Sequence, residues 1–339
     1  MKSKKSSEAQ KAATALKRAA RKQPRCSPDP FSTSPEQTLR DVERALQGRQ
    51  FENIDEANAF LQALTGPGLR ASVLEAVLDA VPRTVKEQAQ ELVYDAMDAR
   101  TDKQAHKLLR QALALDPDCV DALLGLAEFD CRTPEELIAA FEKAVAAGER
   151  SLGTEFFAEN KGDFWGLLET RPYMRARFDL AHTLMSRGRN EEAIGHFEAM
   201  LELNPNDNQG ARDFLLGCYL SAGRVNGATR LLKRYMNDIS AVFAWGRTLE
   251  RFLAGDLPGA KRALREARRG NRFVEEYLTF QRPLPKKDPE TYMLGSDEEA
   301  IIVLEVLSGA WADNPLAIQW LWEQLGFRPT SATKQQRLF

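Results

Sequence analysis

The chain has 339 residues, 43% of them apolar, and a formal net charge of −2, so length does not stand in the way of a sizeable core. No run approaches the roughly eighteen apolar residues of a membrane span, and the basic N-terminus leads into Ser, Pro and charge rather than an apolar signal core. A soluble, cytoplasmic protein is expected, with organelle import as the alternative reading of the basic start.

Residues 1–33 are polar, basic and punctuated by Pro24, Pro28 and Pro30, and are expected to form a disordered tail because they carry too little apolar surface to offset the entropy of ordering. Order should begin at "SPEQ", where Ser34 can cap a helix, Pro35 suits its first turn and Gln37 completes a capping box. Leu39, Val42 and Leu46 follow at helical spacing. Similar starts recur at Asn53 with Glu56, at Thr133 with Pro134 and Glu136, and at Ser296 with Glu299. In each, a short oxygen-bearing side chain satisfies backbone N–H groups that would otherwise lack partners. Strand-like alternation is nearly absent, so the chain is read as all-α.

Between these starts lies a repeat. "KQAHKLLRQALALDP" and "EEAIGHFEAMLELNP" match column for column, pairing Ala105 with Ala193, Leu109 with Phe197, Ala112 with Met200 and Pro117 with Pro205. Leu137, Phe141 and Ala144 fall in the same columns, as do Ala228, Leu232 and Tyr235, and Ala260, Leu264 and Ala267. The spacing is 35 residues from Ala193 to Ala228 and 32 from Ala228 to Ala260, the period of helix-turn-helix solenoid units. Small residues Ala127, Ala181 and Gly217 sit where helices should cross closely, and Gly188, Gly223 and Gly255 end the first helix of a pair.

These columns resemble the tetratricopeptide repeat (TPR) family. The resemblance implies an α-solenoid of TPR-like helix-turn-helix units over 86–270, with an insertion at 151–172, preceded by an N-terminal helical region at 34–85. A C-terminal helical cap at 271–326 and a flexible tail at 327–339 complete the expected organisation. From about 163 to 325, "FWGLLETRPYMRARFDLAHTL", "GNRFVEEYLTF" and "GSDEEAIIVLEVLSGAWADNPLAIQWL" also resemble the suppressor-of-tumorigenicity-seven family, a TPR-like group. Its animal members are membrane-associated, an attribute not expected here because no segment is long and apolar enough to span.

Catalytic signatures are missing: no Walker loop, no GxGxxG after a strand, no GxSxG elbow and no HExxH. The four cysteines (Cys26, Cys119, Cys131, Cys218) lie far apart and read as free thiols, and the three histidines (His106, His182, His196) lack metal-ligand spacing. Neither enzyme activity nor a cofactor or metal is expected. In TPR-like solenoids the first helices of the pairs line a groove, which makes Arg171, Tyr173, Arg175, Phe178, His182 and Arg212 the expected partner-binding residues, with Trp165 beside them. Arginine mixed with aromatic residues is the composition of binding hot spots. The alternative is that Trp165 and Tyr173 pack the insertion onto the array while the arginines pair with acids such as Glu169 and Asp179.

Charge supplies a rival surface. Met1–Arg25 and Arg224–Arg272 each net +8, leaving −18 for the remainder. Within the second stretch Lys261, Arg262, Arg265, Arg268 and Arg269 stripe one helix opposite Ala260, Leu264 and Ala267. This basic face is either solvated, docked on the acidic "DEEAIIVLE" element, or a holder of phosphates. The expected function is therefore a non-catalytic protein- or peptide-binding scaffold using the groove. A nucleic-acid- or ribosome-associated adaptor using the basic tail and the 224–272 face is the alternative.

Overall fold

The computed structural model describes residues 33–65, 81–285, 289 and 291–326. Among these, every regular element is helical. The expected basic tail, but for Thr33, and the 327–339 tail lie outside the described residues, as does the 66–80 part of the N-terminal helical region. The chain divides into two compact units, Cys26–Arg177 and Phe178–Phe339.

The N-terminal unit holds α1 (Thr33–Leu46), α2 (Ile54–Thr65), α3 (Val85–Met97), α4 (Asp102–Leu115), α5 (Val120–Asp130), α6 (Pro134–Leu152), the short α7 (Thr154–Glu159) and two 3-10 turns, before α8 (Arg171–Ser186) begins. α3 packs on α4, α4 on α5 and α5 on α6, so consecutive elements form stacked hairpins. The caps at Thr133 and Asn53 follow their residue types, whereas α1 begins at Thr33, ahead of the expected cap Ser34. Thr133 and Glu136 exchange hydrogen bonds in a full capping box, and Asn53 Oδ1 accepts from the Glu56 N–H at 2.9 Å. The repeat columns are the core: Ala105, Leu109 and Ala112 of α4 and Phe141 and Ala144 of α6 are all buried.

The C-terminal unit continues with α9 (Asn190–Leu203), α10 (Ala211–Ser221), α11 (Val225–Arg234), α12 (Ala241–Leu253), α13 (Leu257–Gly270), α14 (Phe273–Leu278), α15 (Asp297–Asp313) and α16 (Pro315–Leu325). α10 pairs with α11, α12 pairs with α13, and the two first helices α10 and α12 touch each other. Ala193, Phe197 and Met200 are buried on α9, Ala228 and Leu232 on α11, and Ala260, Leu264 and Ala267 on α13. Within each hairpin the backbone turns through Gly188, Gly223 or Gly255 at φ of +77°, +69° and +77°, a region that glycine enters without steric cost. At the "LNPND" joint, Asp207 itself adopts φ +52° and its carboxylate accepts the N–H groups of Ala211 and Arg212, capping α10.

α15 has a position that the repeat pattern does not convey. It lies against both α10 and α12, along the first-helix side of the array, while α16 packs on α15 and α12. Trp311 of α15 meets Trp245 of α12 edge-on, and both indoles are fully buried. Trp311, Trp320 and Trp322 are buried, and α15 covers apolar surface of the first helices α10 and α12. Gly217, read in the sequence as a crossing point between repeat helices, is where α10 and α15 touch: a Cβ there would overlap the Val306 carbonyl oxygen. Gly217→Ala should therefore cost about 1–3 kcal/mol through overpacking. The exposed helical Gly195, which has open space around it, should instead tolerate alanine with a gain of about 0.5–1 kcal/mol. Thermal unfolding of the two variants side by side reads the contrast, and equal effects would place α15 elsewhere.

Candidate functional site

Each residue expected to bind a partner has a definite place. In the N-terminal unit, Arg175 of α8 reaches Asp121 of α5 with Nε at 3.0 Å and Nη2 at 2.6 Å, and Glu36 of α1 with Nη1 at 2.8 Å. Gln90 of α3 donates to the same Asp121 carboxylate at 3.0 Å, and Tyr94 of α3 donates to Glu36. Glu36 and Asp121 are each 5% exposed. Burial pushes the Asp121 carboxyl up, but the charge and hydrogen bonds of Arg175 more than reverse this and hold it below the usual carboxylate range. Arg175 answers in kind: burial works against its charge, and Asp121 and Glu36 outweigh that to raise its pKa. The guanidinium is thus matched by two carboxylates of its own chain.

Arg171 is held similarly. Its Nε donates to the Trp165 carbonyl at 3.1 Å, its guanidinium lies 5.4 Å from the centre of the Trp165 ring, and Glu36 is 4.0 Å away. Tyr173 does not line an open face. It is 2% exposed, packed against Phe157 and Phe164 of the insertion, and seated over Gly148, where a Cβ would strike its ring. The insertion earns its aromatic residues by this cluster, and the packing reading of Tyr173 fits its surroundings.

In the C-terminal unit, Phe178 stacks on His182 with ring centres 6.2 Å apart, and both rings meet Phe214 of α10 at 5.3 Å. His182 Nε2 lies 3.6 Å from Glu305 of α15. Arg212 bridges Asp207 at 3.2 Å and Asp238 at 2.9 Å and lies over the Tyr235 ring. Beside it Asp213 has an Oδ1 that is buried with no hydrogen-bond partner. Burial, with Asp238 and Asp207 adding to it and Arg212 opposing, pushes its carboxyl up to about 7.

Both units therefore cover first-helix surface from within. α1 delivers Glu36 to α3 and α8 in one, and α15 lies on α10 and α12 in the other. Glu299 fastens the start of α15: it accepts from the Ala241 N–H of α12, from Asn271 Nδ2 and from the Gly295 N–H. The sequence marked Glu299 at the start of this helix, where Ser296 Oγ accepts its N–H and its carboxylate accepts the Gly295 N–H; the same carboxylate also joins Ala241 and Asn271.

The basic stripe of α13 is open. Lys261, Arg262, Arg265 and Arg269 are exposed and have no ion pair among the described residues, while Arg268 pairs with Glu275 of α14 at 2.5 Å. The acidic "DEEAIIVLE" element sits on α10 and α12, and its Asp297 pairs with Arg282. Among the described residues no group of three or more His, Cys, Asp or Glu could hold a metal ion. No single described helix is long and apolar enough to cross a membrane; α15 and α16 reach that length together but bend by 108° between them.

Comparison with known proteins agrees with the hairpins. A tetratricopeptide repeat family model matches residues 184–239, the segment from the end of α8 through α9, α10 and α11. No curated protein matches the chain. The chain is thus TPR-like in this segment and all-α throughout its described residues.

Proposed function

We propose that this protein is a non-catalytic scaffold that binds another protein through the outward surface of its TPR-like hairpins. The observation that carries the reading is the combination of stacked hairpins, matched by the repeat model over 184–239, with unpaired basic side chains on exposed helices of the same array. Solenoid hairpins present extended surfaces suited to recognition. The groove form of this proposal asks Arg171, Tyr173, Arg175, Phe178, His182 and Arg212 to face a ligand, yet their hydrogen bonds and ring contacts go to the chain's own residues. α15 is too deeply buried to serve as a removable cover, with Ala300, Val303, Leu307, Ala310 and Trp311 at 1% exposure or less. The exposed faces of α11 to α13 are the better place for a partner. The likeness of the C-terminal half to the suppressor-of-tumorigenicity-seven family adds no activity to this reading.

Amine-reactive crosslinking in the source cell tests it, because Lys233 and Lys261 are exposed on these helices. Crosslinks from either lysine to one recurrent protein are expected. A second reading has its own observation: four cations of the α13 stripe are exposed without an ion pair among the described residues, the kind of surface that can hold phosphates by charge. If nucleic acid is the ligand, recovery will depend on intact RNA or DNA, and reversing the four charges will lower the salt slope for a single strand by about 3.

A further inference from the structure

α11 and α12 enclose an open-sided cleft of ≈ 360 Å³, lined by Thr229, Leu232, Lys233 and Met236 on one side and by Arg247, Glu250 and Arg251 on the other. Its charges do not cancel. Glu250 is 2% exposed, accepts from Thr229 Oγ1 at 2.5 Å and lies 3.3 Å from Arg251 Nε, while Arg251 Nη1 faces Asp256 at 3.7 Å. Those acids occupy Arg251, whereas Lys233 and Arg247 have no ion pair or hydrogen bond to any described residue. Beside these two free cations the cleft has apolar lining, from Leu232, which is buried, and Met236, which is 68% exposed.

We infer that this cleft is a docking site for an extended acidic segment of a partner protein, in which carboxylates flank an apolar side chain. This rests on the scaffold reading and gives it a location. Arg247 can take a carboxylate through two parallel N–H bonds and Lys233 a second as a point charge. Leu232 and Met236 supply the contact that an apolar residue between the acids would fill, and methionine adapts its shape to such ligands. A continuous polyanion fits less well. Evenly spaced phosphates have no apolar group to place against Leu232 and Met236.

The test uses the full chain and an array of immobilised twelve-residue peptides, each with Glu or Asp on both sides of Leu or Ile, beside versions with Gln for the acids and versions with Lys. Two charge-reversed proteins are compared with the native one, Lys233→Glu/Arg247→Glu in the cleft and Arg262→Glu/Arg265→Glu on α13, all four positions lying on helix surfaces. Circular dichroism and melting confirm their folding. The native chain should retain acidic peptides over their Gln versions. The cleft variant should lose about tenfold or more of that binding, and the α13 variant should stay within about twofold. The site is overturned if no acidic peptide is retained, if the cleft variant binds as the native chain does, or if both variants lose binding equally, which marks unspecific attraction. It is also overturned if a single-stranded oligonucleotide is lost from the cleft variant in place of the peptides. Binding of neutral or basic peptides that survives both variants would remove this site while leaving the scaffold reading; recovery of no crosslinked protein would remove the scaffold reading itself.

Discussion

Arg175→Met will destabilise the N-terminal unit by about 3 kcal/mol, because it strands the carboxylates of Glu36 and Asp121 in a site where each is 5% exposed. The figure sits at the lower end of the range for buried pairs because the Arg175 side chain is itself 32% exposed and partly screened. Urea unfolding should show a lowered midpoint. Hydrogen exchange should place the lost protection on α1, α3 and α5, the helices that Glu36, Gln90, Tyr94 and Asp121 occupy. The companion variant Glu36→Gln/Asp121→Asn/Arg175→Met removes the charges together and should recover much of the loss, since a buried ionic group replaced whole by neutral residues is often close to neutral in cost. A single variant as stable as the native chain would show that Arg175 is free to meet a ligand, as the groove reading requires.

The repeat was legible because its determinants are local. Ala105, Leu109 and Ala112 lie within eight residues, and the glycines that close each hairpin are set by the backbone geometry of one turn. Capping was legible for the same reason at Thr133 and Asn53. What covers the first helices was not, because it is set at long range. Glu36 meets Arg175 across 139 positions, and Ala241 meets Glu299 across 58. Periodicity shows that a helix has an apolar face, and says nothing of which distant helix lies on it. Arg175, Phe178 and His182 share the spacing of a groove face whether the other side is a ligand or α1 and α15. Glycine is a similar case: Gly217 marks a close crossing in either arrangement, and only the fold assigns that crossing to Val306.

Asp213→Asn should stabilise the C-terminal unit by about 2 to 4 kcal/mol at pH 8 and change little near pH 4. Three acids, Asp207, Asp213 and Asp238, share the one guanidinium of Arg212. Asp207 and Asp238 take its hydrogen bonds, and each also accepts backbone N–H groups. Asp213 receives no hydrogen bond at its buried Oδ1 and feels the other two carboxylates, so burial leaves it with a pKa of about 7 in the fold. An unfolded aspartate titrates near ~3.9. Between those values the folded chain holds a proton that the unfolded chain has released, so this group's contribution is fully present below about pH 4 and is lost as pH rises through about 7. Asparagine keeps the shape and cannot ionise, which removes the loss. The measured quantity is the difference in unfolding free energy between variant and native chain from pH 4 to pH 8: it should widen across that window and level off above it. A difference that stays flat with pH would mean that Asp213 is charged throughout and that a donor reaches its inner oxygen.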